Sequence, residues 1–321
     1  MGKVILRRLL QIIPTLFVVV LFTFIATRLI PGDPVAAMVG DQYDVSKVEE
    51  MREQLGLNDP IPLQFWHYLV SIFQGDFGDS YYFNMPALDM IAQRLPNTLL
   101  ISVISLVIAI IVGVVLGVVS AKKQNTIIDY VLTVLSLFGV SAPVFWVGIM
   151  LVLLFSVNLG WLPSYGMADL FQDGFVSWVQ HLILPCFCLA IIPMGTFTRI
   201  TRSSMIETLG SDSVRSMRAR GVSEASITWK HALKNALPPI ITVIAIQFAG
   251  CFAGAVLTEN IFSWPGMGTM ITSAIDNRDY ALIQAMVLVV DLAFVVINLI
   301  IDLLYMVVNP KVAADAKKGG M

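Results

Sequence analysis

The chain has 321 residues, of which 57% are hydrophobic and only 13% charged, and its 20 lysines and arginines against 22 acids leave a formal net charge of −2. A mean hydropathy of +0.81 exceeds what the wetted surface of a soluble domain can carry. A freely soluble protein is therefore excluded, and no nucleic-acid partner is expected.

A bilayer core of about 30 Å takes about 20 apolar residues per helical span. Six stretches qualify, at about 9–30, 97–121, 127–157, 179–198, 239–262 and 284–308. The expected fold is an all-α polytopic membrane protein, six transmembrane helices packed as a single domain over 1–321. The first span follows Lys3, Arg7 and Arg8, but its apolar run is too long for a signal peptide and no small-residue cleavage site closes it, so it is expected to be retained.

The segment 31–96 is too long for a simple turn and too short for a separate enzyme domain. "PGDP" stops the first span, and "SKVEEMREQLGL" (46–57) reads as a short helix with Ser46 as N-cap and Gly56 as its end. "LQFWHYLVSIFQG" (63–75), whose aromatics suit a lipid interface, and "PALDMIAQRL" (86–95) complete a small helical cap. Pro143 and Pro193 lie inside spans, where they kink helices either for motion or for packing. Cys186, Cys188 and Cys251 all fall in apolar spans, which makes them core residues and not a disulfide or metal framework.

Basic residues concentrate at the two termini and in the second and fourth inter-span loops, whereas the other loops are rich in acids such as Asp33, Asp44, Glu49, Asp76 and Asp79. By the positive-inside rule both termini are cytoplasmic and 31–96 faces outward. The inner loop at 199–238 is long enough for structure. Ser211 and Asp212 can cap a helix, Arg215, Arg218 and Arg220 crowd its last turns where the dipole favours cations, and Gly221 supplies the stop. That is a basic helix of about 15 Å. Ser223 can cap a second, with Ala225, Trp229, Ala232, Leu233 and Ala236 on one face and Lys230 and Lys234 on another, before "PP" at 238–239 starts the fifth span. Physics alone leaves two readings, a docking element for a partner or a basic interfacial loop held to anionic membrane lipid.

A set of blocks occurs along the chain in order: "LIPGDP" (29–34), "LGLNDPIPLQFWHYL" (55–69), "GDFGDS" (75–80), "RLPNTL" (94–99), "RITRSSMIETLGSDSVRSMRARG" (199–221), "HALKNALPP" (231–239), "ENIFSWPGMG" (259–268), "NRDYALIQ" (277–284) and "NLIIDLLYMVVNP" (298–310). In these the chain resembles the peptide-type permeases of ABC transporters, specifically the B-type subunit of dipeptide, oligopeptide, glutathione and nickel importers. Each block is weak alone, and their order is specific. The resemblance implies a type I ABC importer permease fold in a bacterial inner membrane. It makes 199–238 a coupling loop that docks on a separate ATPase, through Arg215, Ser216, Met217, Arg218, Ala219, Arg220, Gly221, Val222, His231 and Leu233. Against the general E-A-A, three residues, G, nine residues, I-x-L-P pattern, only Gly221 and Leu233 match; "RSMRARG" is nearer the peptide branch, with Met217 and Arg220 as departures. The implied partners are a second homologous permease, two ATP-binding subunits and an extracytoplasmic substrate-binding protein.

No G-x-x-x-x-G-K-[ST] loop occurs, so this chain is not expected to be an enzyme or to bind a cofactor; ATP and Mg would be used by the partner ATPase. His67, His181 and His231 are scattered, which disfavours a metal site and a polytopic intramembrane enzyme. A self-contained secondary transporter would call for inverted repeats. Asp302 reads as a structural hydrogen-bond or ion-pair partner near the inner boundary. Asp291, in the outer half of its span, either faces the pathway and attracts cationic cargo or is satisfied by neighbouring backbone and hydroxyls; Glu259 either fixes the "SWPGMG" turn or contacts cargo. Di- and oligopeptides are the expected cargo, with nickel complexes or glutathione as the alternatives.

Overall fold

The structure is a computed structural model that describes residues 2–29, 35, 49–50, 52–53 and 56–308; the side chains of 2–12, 15, 245 and 300–308 lie outside that description. The expected cap at Ser46, the "PGDP" turn and the basic C-terminal residues Lys311, Lys317 and Lys318 fall outside it too, as does the side chain of Asp302.

In chain order the helices are α1 (Gly2–Leu29), α2 (Ile61–Phe73), α3 (Ala87–Lys122), α4 (Ile127–Ser141), α5 (Val144–Leu151), α6 (Phe175–Leu209), α7 (Asp212–Ala219), α8 (Glu224–Ser226), α9 (Leu233–Phe262), α10 (Met267–Asp276) and α11 (Tyr280–Val308). A π-helical stretch, Val152–Asn158, extends α5, and another, Ile227–Ala232, joins α8 to α9. Between α2 and α3 lies a minimal hairpin, β1 (Asp79–Ser80) antiparallel to β2 (Met85–Pro86), in which Asp79 faces Pro86 and Ser80 faces Met85.

Three unbroken helices, α3, α6 and the Tyr280–Leu299 part of α11, are long and apolar enough to cross a membrane. Two bent pairs, Ile127–Ser141 with Val144–Asn158 and Glu224–Ile244 with Ile246–Phe262, bring the number to as many as five, and α1 adds the shorter apolar run Leu16–Leu29. Each of the six expected stretches falls on one of these.

Three boundaries differ from the sequence reading. The stretch 127–157 is not a span with a mild kink: its two halves meet at 107°. Pro143 pushes Ala142 out of the helical region to φ −73, ψ 132, so the helix stops and restarts. Residues 86–95 are not a separate piece, because α3 begins at Ala87 and runs on through Pro96. Likewise Pro238 and Pro239 lie inside α9, whose backbone continues upstream to Glu224. A proline removes one ladder bond while the turns beside it keep theirs, and a helix in lipid has no other way to satisfy its backbone.

Two compact units divide the chain, residues 1–96 with 266–299 and residues 97–265 with 300–321, so the boundary falls within α3. In the first unit, Ala87 and Ile91 of α3, Met267, Met270 and Ala274 of α10, and Leu282, Ile283 and Met286 of α11 form one buried cluster. Phe24 of α1 packs edge-on to Phe65 and stacks with Tyr68 of α2. Arg28 lies 3.4 Å above the Phe24 ring and donates to Gln64 Oε1 at 2.7 Å. Asp279 holds the hairpin by accepting from Ser80 Oγ and caps α11 by accepting from Leu282 N at 3.1 Å. Gly56 has φ +63, and Leu57 N donates back to Arg52 O at 2.9 Å, the left-handed helix end expected of that glycine.

The second unit is held by small residues. Lipid tails are as apolar as leucine, so helices in a membrane associate through close packing and internal hydrogen bonds. Gly113 and Gly117 of α3 lie against α6, where an added Cβ would stand 2.8 Å from Met194 O and 2.7 Å from Thr198 O. Gly195 of α6 lies in the same way against α4, 2.5 Å from Ser136 O. Several hydroxyls inside the helices are satisfied locally, Ser136, Thr198 and Thr258 each donating to the carbonyl four residues earlier, whereas Ser102 Oγ and Thr201 Oγ1 are buried without a partner among the described residues. Cys186, Cys188 and Cys251 are free and buried, as their apolar setting suggested. Large exposed apolar residues such as Ile127, Val134 and Phe145 suit contact with lipid.

At Gly117 an added Cβ would meet Thr201 Cβ at 2.5 Å, whereas at Gly250 the nearest atom is Gln247 Oε1 at 3.9 Å. Gly117→Ala is therefore predicted to destabilise the protein by about 1–3 kcal/mol and Gly250→Ala to leave it unchanged. Thermal unfolding of the two variants in detergent checks this; equal midpoints would contradict it.

Candidate functional site

The segment singled out from its charges is two helical pieces with one sharp turn between them. α6 ends at Leu209, and after Gly210 and Ser211 the chain enters α7, eight residues and about 12 Å long. Asp212 stands in its first turn and Arg218 in its last, each the sign the helix dipole favours. Ser211 occupies the N-cap position, but its hydroxyl turns back to donate to Thr208 O at 2.7 Å and does not cap the helix.

Gly221 ends α7 as the sequence suggested. It has φ +77, Gly221 N donates to Arg218 O at 3.0 Å, and Val222 N donates to Met217 O at 3.1 Å. That pair of bonds is a Schellman motif, which needs a left-handed residue at this position. Nothing lies within 4 Å of where a Gly221 Cβ would be, so the constraint is backbone conformation and not space. Ser223 then caps α8, accepting from Ser226 N at 3.4 Å.

The site residues divide by exposure. Arg215, Ser216, Arg218, Ala219, Arg220 and Gly221 are exposed; Met217, Val222, His231 and Leu233 are half-buried. Arg218 Nε donates to Glu224 Oε1 at 2.6 Å across the turn, and this carboxylate raises the guanidinium further above its usual range. Both groups are exposed, so the pair fixes direction more than it adds stability. Arg215 reaches Asp212 at 3.4 Å, while Arg220 has no ion pair among the described residues.

Beneath this exposed strip is a buried root. Val214 of α7 is fully buried, as are Ile227 and Thr228. Met205 of α6, Val118 and Ala121 of α3, and Ala232 and Ala236 pack together as one cluster. The expected apolar face is thus corrected: Ala225 and Trp229 are exposed, and the buried row runs through Thr228, Ala232, Ala236 and Ile240. The π-helical turn over Ile227–Ala232 changes the period, which moves Trp229 off the face that 3.6-residue spacing assigns it.

A second cluster tightens the "ENIFSWPGMG" turn. Glu259 is fully buried and accepts from Thr98 Oγ1 at 2.6 Å. Ser263 ends α9 in the left-handed region, and Trp264, also fully buried, donates from its indole Nε1 to Asn97 O at 3.1 Å. Asn97 in turn donates to Pro265 O at 2.7 Å. Asp291 of α11 is half-buried and takes no hydrogen bond or ion pair among the described residues.

The most polar contact in the second unit was not foreseen. Asp129, at the start of α4, receives both Nε and Nη2 of Arg202 on α6 at 2.7 Å, and also Ser120 Oγ of α3 at 2.5 Å. The signal available in the sequence was a carboxylate two residues into an otherwise apolar span.

Residues 113–314 match the family described as the inner membrane component of binding-protein-dependent transport systems, and residues 1–102 match the N-terminal family of such membrane components. The chain belongs to this family. It is 40% identical over 312 residues to the glutathione transport system permease protein GsiC of Salmonella choleraesuis (strain SC-B67), covering 97% of this chain and 99% of that protein. The GsiC permease of Escherichia coli (strain K12) is 39% identical over the same length. Among solved structures, an inward-facing form of the MetNI methionine ABC transporter superposes with a TM-score of 0.56 at 16% identity, over 69% of this chain and 97% of the other. The fold is therefore that of a type I ABC importer permease, and the chain is a multi-pass permease component of the inner membrane.

Proposed function

We propose that this chain is one half of the translocation pathway of a bacterial importer for small peptides or peptide-like solutes such as glutathione. Two ATP-binding subunits supply the energy, a second, homologous permease supplies the other half, and an extracytoplasmic binding protein delivers the cargo. ATP and Mg are used by those subunits and not by this chain. The near full-length likeness to permeases named for glutathione transport supports the cargo class.

The observation that carries the reading is α7. An exposed eight-residue helix, stopped by a left-handed glycine and fastened below by fully buried Val214, presents Arg215, Ser216, Arg218 and Arg220 outward. It is fastened at both ends and from below, which suits a docking element better than a basic loop lying on anionic lipid. In alternating access, closure of the two ATPase subunits would push on this helix and reorient the bundle through α6. His231 and Leu233 are half-buried, Leu233 against the cluster that includes Met205 and Ala232, and are read as supports for the docking strip.

The orientation follows from charge. Both termini and the α7 segment face the cytoplasm, while residues 31–96 and the loop around Asp169 and Asp173 face outward. Phe171 in that loop is 93% exposed. A cysteine at Phe171 is expected to react with an impermeant thiol reagent in intact spheroplasts; labelling only after lysis would reverse the topology.

Asp291 is assigned to the pathway because it is an acid inside a span with no partner among the described residues. Glu259, bonded to Thr98, is assigned to the turn. Asp291→Asn is expected to lower uptake of cationic peptides more than of anionic ones in competition assays. Equal uptake of both would return Asp291 to a structural role.

Gly221→Val tests the docking reading. A β-branched residue forced into the left-handed region costs about 1–2 kcal/mol of backbone strain, or else lets the helix run on and swing Arg218 and Arg220. The variant is expected to insert normally yet lose co-purification with the ATPase or lose solute-stimulated hydrolysis, with Gly221→Ala milder. Full transport by the valine variant would refute the role of α7.

A further inference from the structure

The contact of Asp129 with Arg202 lies where force from α7 would enter the bundle. Arg202 is on α6, seven residues before that helix ends at Leu209, and only Gly210 and Ser211 separate α6 from α7. Thr208 Oγ1 donates to Ser204 O and Ser211 Oγ to Thr208 O, so the joint is itself bonded. A displacement of α7 therefore reaches the last turns of α6 with little slack.

At those turns the pair ties three helices together. The Arg202 fork meets both oxygens of Asp129, Ser120 of α3 donates to one of them, and Asn125 N, in the short turn between α3 and α4, donates to the other at 3.0 Å. The Asp129 side chain is 2% exposed. Beside it, Thr201 meets Gly117 of α3, and further along α6 Gly195 meets Ser136 of α4. All these residues belong to the second compact unit. Two planar groups joined by two hydrogen bonds fix relative orientation as well as distance, which a point charge does not.

We propose that Arg202 is a positioning residue for transport: its two-point bond to Asp129 makes α3, α4 and the end of α6 move as one lever when α7 is pushed. The inference rests on the docking role of α7 given above and goes beyond it, since that role says where force enters and this says how it is passed on. Neutralising the buried Asp129 charge takes a cation; passing on rotation takes the fork. Lysine separates the two.

The test is Arg202→Lys in the complete complex, reconstituted with its ATPase subunits and its binding protein in proteoliposomes. Ser120→Ala serves as a second variant that leaves both charges in place. Three quantities are read: co-purification of the ATPase, ATP hydrolysis without and with cargo-loaded binding protein, and cargo moved per ATP. Arg202→Lys is expected to assemble and keep its basal hydrolysis, while stimulation and cargo per ATP fall roughly fivefold, a size typical of mutations along a coupling network. Ser120→Ala is expected to shift the same two readouts by less.

Normal cargo per ATP in Arg202→Lys would overturn the proposal, leaving charge neutralisation as the role of the arginine. Loss of assembly in both variants would overturn it as well, because the contact would then serve folding. Failure of the docking reading is distinguishable: there Gly221→Val keeps ATPase attachment and full transport, whatever Arg202→Lys does.

Discussion

At Gly117 the backbone of α3 comes so near α6 that a methyl group would overlap Thr201 and the Thr198 carbonyl. That approach has to be made without the usual driving force, because an apolar side chain gains little by leaving lipid for protein. Glycine at 113, 117 and 195 allows backbones to touch, and close contact over many atoms replaces the hydrophobic term. Several polar groups inside this packing are paired across helices, Asp129 with Arg202 and Glu259 with Thr98 among them.

From this constraint follows the character of α7. An isolated helix of eight residues does not persist in water, so it has to be fixed from outside itself. It is fixed at one end by a two-residue joint to α6, at the other by the left-handed Gly221, and underneath by Val214. What remains exposed is a row of arginines, Arg215, Arg218 and Arg220, that a partner could meet. The helix is exposed along most of its length and yet fastened at both ends and underneath, a combination suited to receiving a push and passing it on.

The sequence revealed what is local and concealed what is distant. Gly56 and Gly221 were legible as helix ends because only glycine takes the left-handed region without strain, and Ser223 was legible as a cap for a similar reason. Span positions followed from apolar length. The sharp turn at Pro143 was not legible, since a proline in an apolar run gives the same letters for a kink as for a 107° break. Trp229 was placed on the wrong face because periodicity assumes 3.6 residues per turn and a π-helical turn does not keep it. The partners of Asp129 and Glu259 lie 73 and 161 residues away along the chain, and no local pattern announces such pairs. The family resemblance supplied the partner ATPase, which no property of the residues alone required.

All of this comes to bear on whether α7 touches an ATP-binding subunit. A photo-crosslinking residue placed at exposed Ser216, in membranes carrying the whole transporter, reports its neighbour directly. The account predicts an adduct with the ATP-binding subunit whose yield changes when ATP and cargo-loaded binding protein are added. Adducts with lipid alone, in a complex that still transports, would contradict it.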